Sequence, residues 1–175
     1  YYAPLNAAHF GISGDEIQNV LWRILDGELD AQFIKPKVIA LLIGTNNIGS
    51  DSTRDIVEGI RNLVKAIREK APESKLLLLG IFPCLEKRNK WRRQIEDINA
   101  AVAGLDDGKM IRFLDLKDKF VLPDESIPKD LMPDRKHPSV KGYRVWAEAM
   151  EPLLAEMMGR PARQPEPATA KGKTE

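Results

Sequence analysis

Hydrophobic residues follow two patterns along the chain, one continuous and one with the period of an α-helix. Continuous apolar runs predict three buried strands of a sheet covered on both faces, within KPKVIALLIG, SKLLLLGIFP and KMIRFLDL. Apolar residues three and four positions apart predict four amphipathic helices, within residues 15–29, 51–72, 91–105 and 139–158. Because strands and helices alternate, we expect an α/β fold with a parallel sheet between two layers of helices.

Capping residues and composition set the expected limits of these elements. Asp51 or Ser52 should cap the second helix, and Ser139 should cap the last one. The final stretch, GRPARQPEPATAKGKTE, contains three prolines and no aliphatic stripe. We therefore expect one domain over residues 1–158, followed by a disordered tail over residues 159–175.

The composition narrows the classes of partner and cofactor. The chain carries 27 Lys and Arg against 26 Asp and Glu, so it has no electrostatic footprint for nucleic acid or an anionic membrane surface. No apolar run reaches the length of a membrane span. The single cysteine, Cys84, cannot form an internal disulfide, and together with two scattered histidines it does not make a metal site. We expect no metal and no cofactor, and the cellular compartment stays open.

Glycines and polar residues follow the apolar runs at three strand-to-helix junctions, FGISGD, GTNN and MPDRKH. In the first junction Gly14 can expose a backbone N–H, and in the second Asn46 and Asn47 end the strongest predicted strand. Both junctions also fit plain turns, because glycine and asparagine are common turn residues. An amide at a strand end can instead donate a hydrogen bond to a developing negative charge.

Asp134 and His137 lie three residues apart in the third junction, just before the last predicted helix. On one helical turn, the carboxylate can reach the near imidazole nitrogen, which orients the ring and leaves the far nitrogen free to act as a base. The alternative is a solvated aspartate and a surface histidine in a basic loop. For the other histidine, His9, we expect a structural role at a strand edge.

Taken together, the three junctions and their surrounding apolar positions resemble the SGNH (GDSL-type) hydrolases. The segments that carry the resemblance are FGISGD, VLWRILDGELD, KPKVIALLIGTNN, LLLLGIFP and DLMPDRKHPSVKGYRVWAEAMEPLL. They occur in order from Phe10 to Leu154 and include apolar as well as polar positions. Within the family, they are similar to the catalytic subunits of type IB platelet-activating-factor acetylhydrolase and their bacterial relatives.

The resemblance implies a flavodoxin-like three-layer α/β/α fold and hydrolysis of a small ester through a serine nucleophile. An acetyl group is the acyl group expected by analogy with the family. The resemblance assigns the oxyanion hole to the Gly14 backbone N–H and the Asn46 side chain. It makes His137 the general base and Asp134 the residue that orients it, while Asn47 shapes the turn.

The sequence departs from the family at the nucleophile. The family carries its serine in a Gly-Asp-Ser block at the end of a central first strand, and no such block occurs in the 175 residues. Ser13 lies on the wrong junction to attack a carbonyl held there, and Ser139 is expected to cap a helix. We therefore expect a fragment of a hydrolase, without esterase activity of its own. We also expect a sheet without that strand and with unpaired backbone groups on both strands that would flank it.

A smaller departure lies between Asp134 and His137, where Arg135 and Lys136 replace the apolar residues that are more common in the family. We expect both basic side chains to point into solvent.

A second interpretation is a non-catalytic flavodoxin-like module that binds a partner or ligand in its cleft. A nucleotide-binding domain is disfavoured, because neither GISGD nor GTNN is a glycine-rich phosphate loop. The sequence is compatible with a homodimer but does not specify one.

Overall fold

A short parallel sheet forms the centre of the fold. The structure is a computed structural model that describes residues 2–30, 32–85 and 89–164. Within these residues, three strands run parallel in the order β1-β2-β3: β1 (Val38–Leu41), β2 (Lys75–Leu79) and β3 (Ile111–Leu114). Leu41 lies opposite Leu78 of β2, which lies opposite Phe113 of β3. The predicted parallel α/β arrangement is confirmed.

The described part of the chain contains five α-helices: α1 (Ile17–Arg23), α2 (Thr53–Lys70), α3 (Lys90–Ala103), α4 (Lys117–Phe120) and α5 (Val140–Met158). Four of them are the helices predicted from the apolar periodicity, and α4 is too short to have shown one. Single turns of 3₁₀-helix occupy Ala3–Leu5 and Thr45–Asn47. None of the helices in these residues is long and apolar enough to cross a membrane.

Alternate side chains of β2 separate two hydrophobic cores, as the two-residue period of a strand requires. Leu76 and Leu78 pack with the buried residues of α1, α2 and α3 on one side of the sheet. Leu77 and Leu79 pack on the other side against α5, through Met150, Leu154 and Met157. All four leucines are at most 4% exposed. The three-layer fold is therefore built around β2.

The long helix α2 forms where the sequence predicts it. The Ser52 hydroxyl accepts a hydrogen bond from the Asp55 N–H at 3.1 Å, so Ser52 is the N-cap. The helix ends at Lys70, before Pro72. The helical periodicity of residues 51–72 predicts a buried stripe of Ile56, Ile60, Leu63, Val64 and Ile67, and all five are buried.

The first helix differs from the prediction at its carboxyl end. After α1, the chain continues as a π-helical turn over Ile24–Glu28, in which Gly27 has φ +112°. The wider turn changes which side chains face the core, so Ile24 is buried but Leu25 is 55% exposed. The helical periodicity of residues 15–29 predicts Leu25 on the same buried stripe as Ile17, Val20, Leu21 and Ile24, and for Leu25 this prediction is wrong.

The strand β1 lies at the edge of the sheet. Among the described residues it pairs only with β2, and its Ala40 is exposed while Ile39 is half-buried. An edge strand has unpaired backbone groups along its free side. Side chains of β1 nevertheless pack on both faces of the sheet, Leu41 and Ile39 with the α1–α3 core and Val38 with the α5 core, so the predicted cover is confirmed and the expected open edge is present as well.

The segment before α1 forms no strand in the structure. Residues 7–12 have no regular secondary structure, and His9 is exposed there. A strand needs another strand with which its backbone can pair, and this segment pairs with no strand among the described residues. The predicted strand-edge role of His9 is therefore wrong. The expected gap, the place of the absent first strand, has a strand with unpaired backbone groups on the β1 side but no strand in residues 7–12 on the other side.

The chain stays attached to α5 after the helix ends at Met158. The Arg160 guanidinium donates to both carboxylate oxygens of Glu151, at 2.6 and 3.0 Å, and the Arg163 N–H donates to one of them at 2.7 Å. Glu151 is buried, and the Arg160 hydrogen bonds hold the pKa of its carboxyl below the usual value despite that burial. The predicted tail thus begins with contacts to α5, and residues 165–175 lie outside the described residues.

Replacing Ser139 by alanine should lower the free energy of unfolding by ~1 kcal/mol, because the N-cap of α5 is lost. The Ser139 hydroxyl accepts from the Gly142 N–H at 3.1 Å and donates to the Asp130 carbonyl at 2.5 Å. Urea unfolding of the two proteins measures the difference. Ser13→Ala is the matched control, since the Ser13 side chain is exposed. Equal stability of Ser139→Ala and the original chain would contradict the assignment of the cap.

Candidate active site

Two of the polar junctions lie at the carboxyl end of the sheet, where β1 and β2 end. The carboxyl end of β1 leads into the turn Thr45–Asn47, and the carboxyl end of its neighbour β2 leads into residues 80–85. The Leu85 N–H in that second loop donates to the Arg135 carbonyl at 3.0 Å. This bond attaches the loop that contains Asp134 and His137 to the same end of the sheet, where α/β proteins commonly bind their ligands.

Gly14 lies in a tight turn just before α1. The Asp15 N–H donates to the Ile12 carbonyl at 3.2 Å, and Gly14 between them has φ +86°, a conformation that favours glycine. Gly14 is exposed, and no described residue accepts a hydrogen bond from its N–H. The turn therefore presents a free backbone donor.

An arginine of α1 fixes this turn. The Arg23 guanidinium donates to the two carboxylate oxygens of Asp15 at 2.9 and 2.8 Å, and its Nε donates to Glu28 at 3.0 Å. The hydrogen bond from Arg23 holds the pKa of the Asp15 carboxyl below its usual value. The apolar periodicity does not reveal this interaction, because it leaves Arg23 as an ordinary polar position about two helical turns beyond Asp15.

Asn46 connects the second junction to the first. The turn that presents it begins at Gly44, which is buried with φ +106° and where a Cβ would lie only 2.8 Å from Ile81 Cδ1. Glycine is therefore needed for both conformation and space. The Asn46 amide donates one hydrogen bond to the Asp15 carbonyl at 2.8 Å. An amide has two N–H groups, so a second donor remains beside the Gly14 turn.

The Asn47 side chain is only 1% exposed and joins three segments. Its Oδ1 accepts from the Ile17 N–H at 3.1 Å, at the start of α1. Its amide nitrogen donates to Asp51 at 2.6 Å and to Gln18 at 3.2 Å. These bonds satisfy a buried helix N–H and hold the loop after β1 against α1.

Asp134 holds His137 with both carboxylate oxygens. One oxygen lies 2.6 Å from the ring Nδ1, and the other accepts from the His137 backbone N–H at 2.7 Å and from the Lys136 N–H at 2.9 Å. The backbone N–H of His137, followed by its ring and then the Lys136 N–H, holds the pKa of Asp134 well below its usual value. The predicted contact is therefore present.

The contact forms in a turn before α5, not on the predicted helical turn. Both side chains are exposed, His137 at 71% and Asp134 at 56%. Lys136 is exposed as predicted, whereas Arg135 is half-buried with φ +56°, so the prediction of a fully solvated Arg135 is wrong.

No direct hydrogen bond joins the Asp134–His137 pair to Asn46 or Gly14 within the described residues. The two groups are connected through the sheet, because Asn46 follows β1 and the histidine loop is bonded to the loop after β2. The candidate residues therefore form two separate groups, Asn46 bonded to the turn at Gly14 and Asp134 bonded to His137.

The serines of the chain have other contacts. Five hydroxyls donate hydrogen bonds within 2.5–3.1 Å to nearby carbonyls or carboxylates, those of Ser50, Ser52, Ser74, Ser126 and Ser139. Ser13, the remaining serine, is exposed next to Gly14. None of them bonds to the His137 ring, which a serine nucleophile must approach.

Cys84 and metal chemistry offer no substitute in the described residues. Burial raises the pKa of the Cys84 thiol, more than the nearby charges of Arg92 and Lys136 lower it, and a raised pKa disfavours the reactive thiolate. No group of three or more His, Cys, Asp or Glu side chains in the described ranges is arranged to hold a metal ion.

Comparison with known proteins identifies the class of protein. The family model described as the GDSL-like lipase/acylhydrolase family matches residues 2–145. The human platelet-activating factor acetylhydrolase IB subunit alpha1 is 34% identical over 173 residues, which cover 95% of this chain and 74% of the human protein. The chain therefore belongs to the GDSL-like lipase/acylhydrolase family, whose members are hydrolases.

Solved structures have the same fold. A GDSL-like lipase from Bacteroides thetaiotaomicron superposes with a TM-score of 0.73 at 18% identity, covering 89% of this chain and 78% of that one. An acetylxylan esterase from Geobacillus stearothermophilus gives a TM-score of 0.65 at 22% identity, with coverages of 90% and 74%. These likenesses establish the fold, and the predicted family is confirmed.

Replacing Asn47 by alanine should lower the free energy of unfolding by ~1–3 kcal/mol, because the buried Ile17 N–H loses its acceptor. Urea or thermal unfolding measures the loss. Asn62→Ala is the matched control, since Asn62 is exposed on α2 and no hydrogen bond of its side chain would be lost. If Asn47→Ala unfolds at the same urea concentration as Asn62→Ala, the bonds of Asn47 do not stabilise the loop.

Proposed function

We propose that this chain contains the base and the oxyanion hole of a serine-type ester hydrolase. His137 is the general base, Asp134 orients it, and the Gly14 N–H and the Asn46 amide receive the oxyanion. The observation that carries the proposal is the double contact of Asp134, with one oxygen 2.6 Å from the imidazole Nδ1 and the other 2.7 Å from the backbone nitrogen of the same histidine. Such a contact fixes both the position and the rotation of the ring.

The hydrogen bond from the His137 ring to Asp134 sets which ring nitrogen can accept a proton. Because the pKa of Asp134 is well below its usual value, the carboxylate stays ionised near neutral pH and accepts the Nδ1–H of the ring. The lone pair then lies on Nε2, which takes the proton of the serine hydroxyl as the oxygen attacks the ester carbonyl. When the carbon–oxygen bond to the alcohol breaks, the same nitrogen returns the proton to the leaving oxygen. Water then cleaves the acyl-enzyme by the same steps in reverse.

The negative charge on the carbonyl oxygen needs donors that are already in place. The Gly14 N–H has no acceptor among the described residues, and the Asn46 amide retains one N–H beyond its bond to the Asp15 carbonyl. That bond, 2.8 Å long, keeps the two donors next to each other. Donors fixed in advance stabilise the tetrahedral intermediate more than the flat substrate carbonyl.

The nucleophile we propose is a serine of a Gly-Asp-Ser block that the 175 residues do not include. The support is the set of serine contacts described above, in which no hydroxyl reaches the His137 ring. The open edge of β1 fits this proposal, since it lies beside the loop that contains Asn46.

The substrate we propose is a small ester with an acetyl acyl group. Support comes from the similar proteins, one named an acetylhydrolase subunit and another an acetylxylan esterase. The alcohol is not specified by these names, which point to different classes of molecule. A homodimer stays a prediction, which sedimentation analysis can decide.

The 175-residue chain should not hydrolyse p-nitrophenyl acetate faster than its own His137→Ala variant, because a base without its nucleophile cannot form an acyl-enzyme. The measurement is initial rate, together with labelling by a fluorophosphonate probe. A rate clearly above that of the variant, with one labelled serine, would contradict the proposed absence of the nucleophile. A longer form with a Gly-Asp-Ser block should be active, and inactivity there would favour the binding-module interpretation.

In such a longer form, Asn46→Ala should lower turnover by about 100- to 1,000-fold with little change in the Michaelis constant, because the donor acts on charge that develops in the transition state. Steady-state kinetics with the same ester measures both constants. Asn47→Ala is the control, since it should mainly lower the melting temperature and leave turnover per folded molecule nearly unchanged. Retention of full turnover by Asn46→Ala would make Asn46 a turn residue only.

A further inference from the structure

Three non-glycine residues near the candidate base adopt left-handed backbone conformations. Leu85 has φ +67°, Glu125 has φ +66° and Arg135 has φ +56°. Such conformations are strained for residues with a Cβ and persist only where the surroundings fix them. The interactions that fix them therefore bear on the geometry of the site.

Arg92 of α3 contacts two of these three residues. Its side chain is buried, with 1% of the residue exposed. The guanidinium donates to the carbonyl of Leu85, to the Glu125 carbonyl at 2.5 Å and to the Cys84 carbonyl at 3.3 Å. One buried side chain thus holds the backbone of two separate loops.

The third left-handed residue continues the path to the histidine. The Leu85 N–H donates to the Arg135 carbonyl at 3.0 Å, and Arg135 lies between Asp134 and His137 in the sequence. The carbonyl of Leu85 is therefore held by Arg92 while its N–H holds the histidine loop. This path connects the core of α3 to the exposed pair by backbone hydrogen bonds.

We propose that Arg92 is a positioning residue that sets the place of the Asp134–His137 pair through Leu85 and Arg135. The inference rests on the proposed function only in that the pair is the one assigned to catalysis. Arg92 itself does not touch the substrate, since it is buried behind the two loops. Its role differs from that of Asp134, which orients the ring directly.

The planar fork of arginine suits this task. A guanidinium has five N–H donors in fixed directions, so it can bond several carbonyls of different loops at once. A lysine in the same place keeps the charge but donates from one point. Arg92→Lys should therefore loosen both loops without removing the positive charge.

The test compares Arg92→Lys with Ile98→Ala, a control on the same helix that leaves a cavity in the core. One readout is NMR amide exchange of Leu85 and His137, which should become about tenfold faster in Arg92→Lys relative to the global unfolding rate. The other is the titration midpoint of the Asp134 carboxyl. The midpoint should rise in Arg92→Lys, because N–H donors that favour the charged carboxylate are no longer held in place.

Ile98→Ala should change neither readout once the global loss of stability is subtracted. Leu85→Pro is a second variant for the case that Arg92→Lys does not fold. Proline removes the N–H that the Arg135 carbonyl accepts and cannot adopt the φ of +67° found at Leu85, so the link through this exposed loop position is broken. It should raise the Asp134 midpoint in the same way.

An unchanged Asp134 midpoint in a folded Arg92→Lys or in Leu85→Pro would overturn the proposal. An equal shift in Ile98→Ala would do so as well, because the effect would then be one of general destabilisation. Neither readout needs esterase activity. A failure of the proposed hydrolase function would therefore leave the result on Arg92 intact, and the two outcomes can be told apart.

Discussion

The burial of β2 on both faces of the sheet is the constraint on which the site depends. Its four leucines pack alternately against α1 to α3 and against α5, so helices must cover both sides. Parallel strands joined by helices have their carboxyl ends at one edge. The loops after β1 and β2 therefore lie side by side, and Asn46 and the anchor of the histidine loop are brought to the same region by the packing of apolar residues alone.

Within that region, buried polar side chains fix the backbone of the loops, which the hydrophobic core does not contact through hydrogen bonds. Asn47 satisfies a helix N–H at the start of α1, and Arg92 satisfies carbonyls of two loops. Loop backbone has no ladder or helix to supply its partners, so each of these side chains replaces several missing hydrogen bonds. This explains why the Asn47 amide and the Arg92 guanidinium are buried at 1% exposure beside exposed loops.

The parts of the fold that the sequence predicts are those with a local signal. The stripe of α2 and the caps Ser52 and Ser139 come from spacing within a few residues. The Asp134–His137 contact was likewise readable, since three residues separate the partners. The exposure of Ala40 was not, because it depends on whether another strand lies beside β1, and an apolar run is the same in either case.

Polar contacts between separate segments could not be predicted from the pattern of apolar residues either. Arg92 and Glu125 are far apart in the sequence, and a buried arginine on an amphipathic helix looks like a solvated one until its partners are placed. The same holds for Arg23, which the periodicity of α1 leaves as an ordinary polar position. The partners of these two arginines are therefore visible only in the three-dimensional structure.

The exposure of the Asp134–His137 pair limits what its ion pair can contribute to the stability of the fold. A salt bridge between exposed groups contributes little, since water screens it and both side chains lose freedom. The low pKa of Asp134 means that its contribution is present above the usual aspartate pKa of about 3.9 and is lost as the pH falls below that value. The carboxylate is therefore charged throughout the neutral range. Its two backbone hydrogen bonds, not its burial, keep it charged and aligned, so the geometry of the pair depends on the loop that supplies those N–H groups.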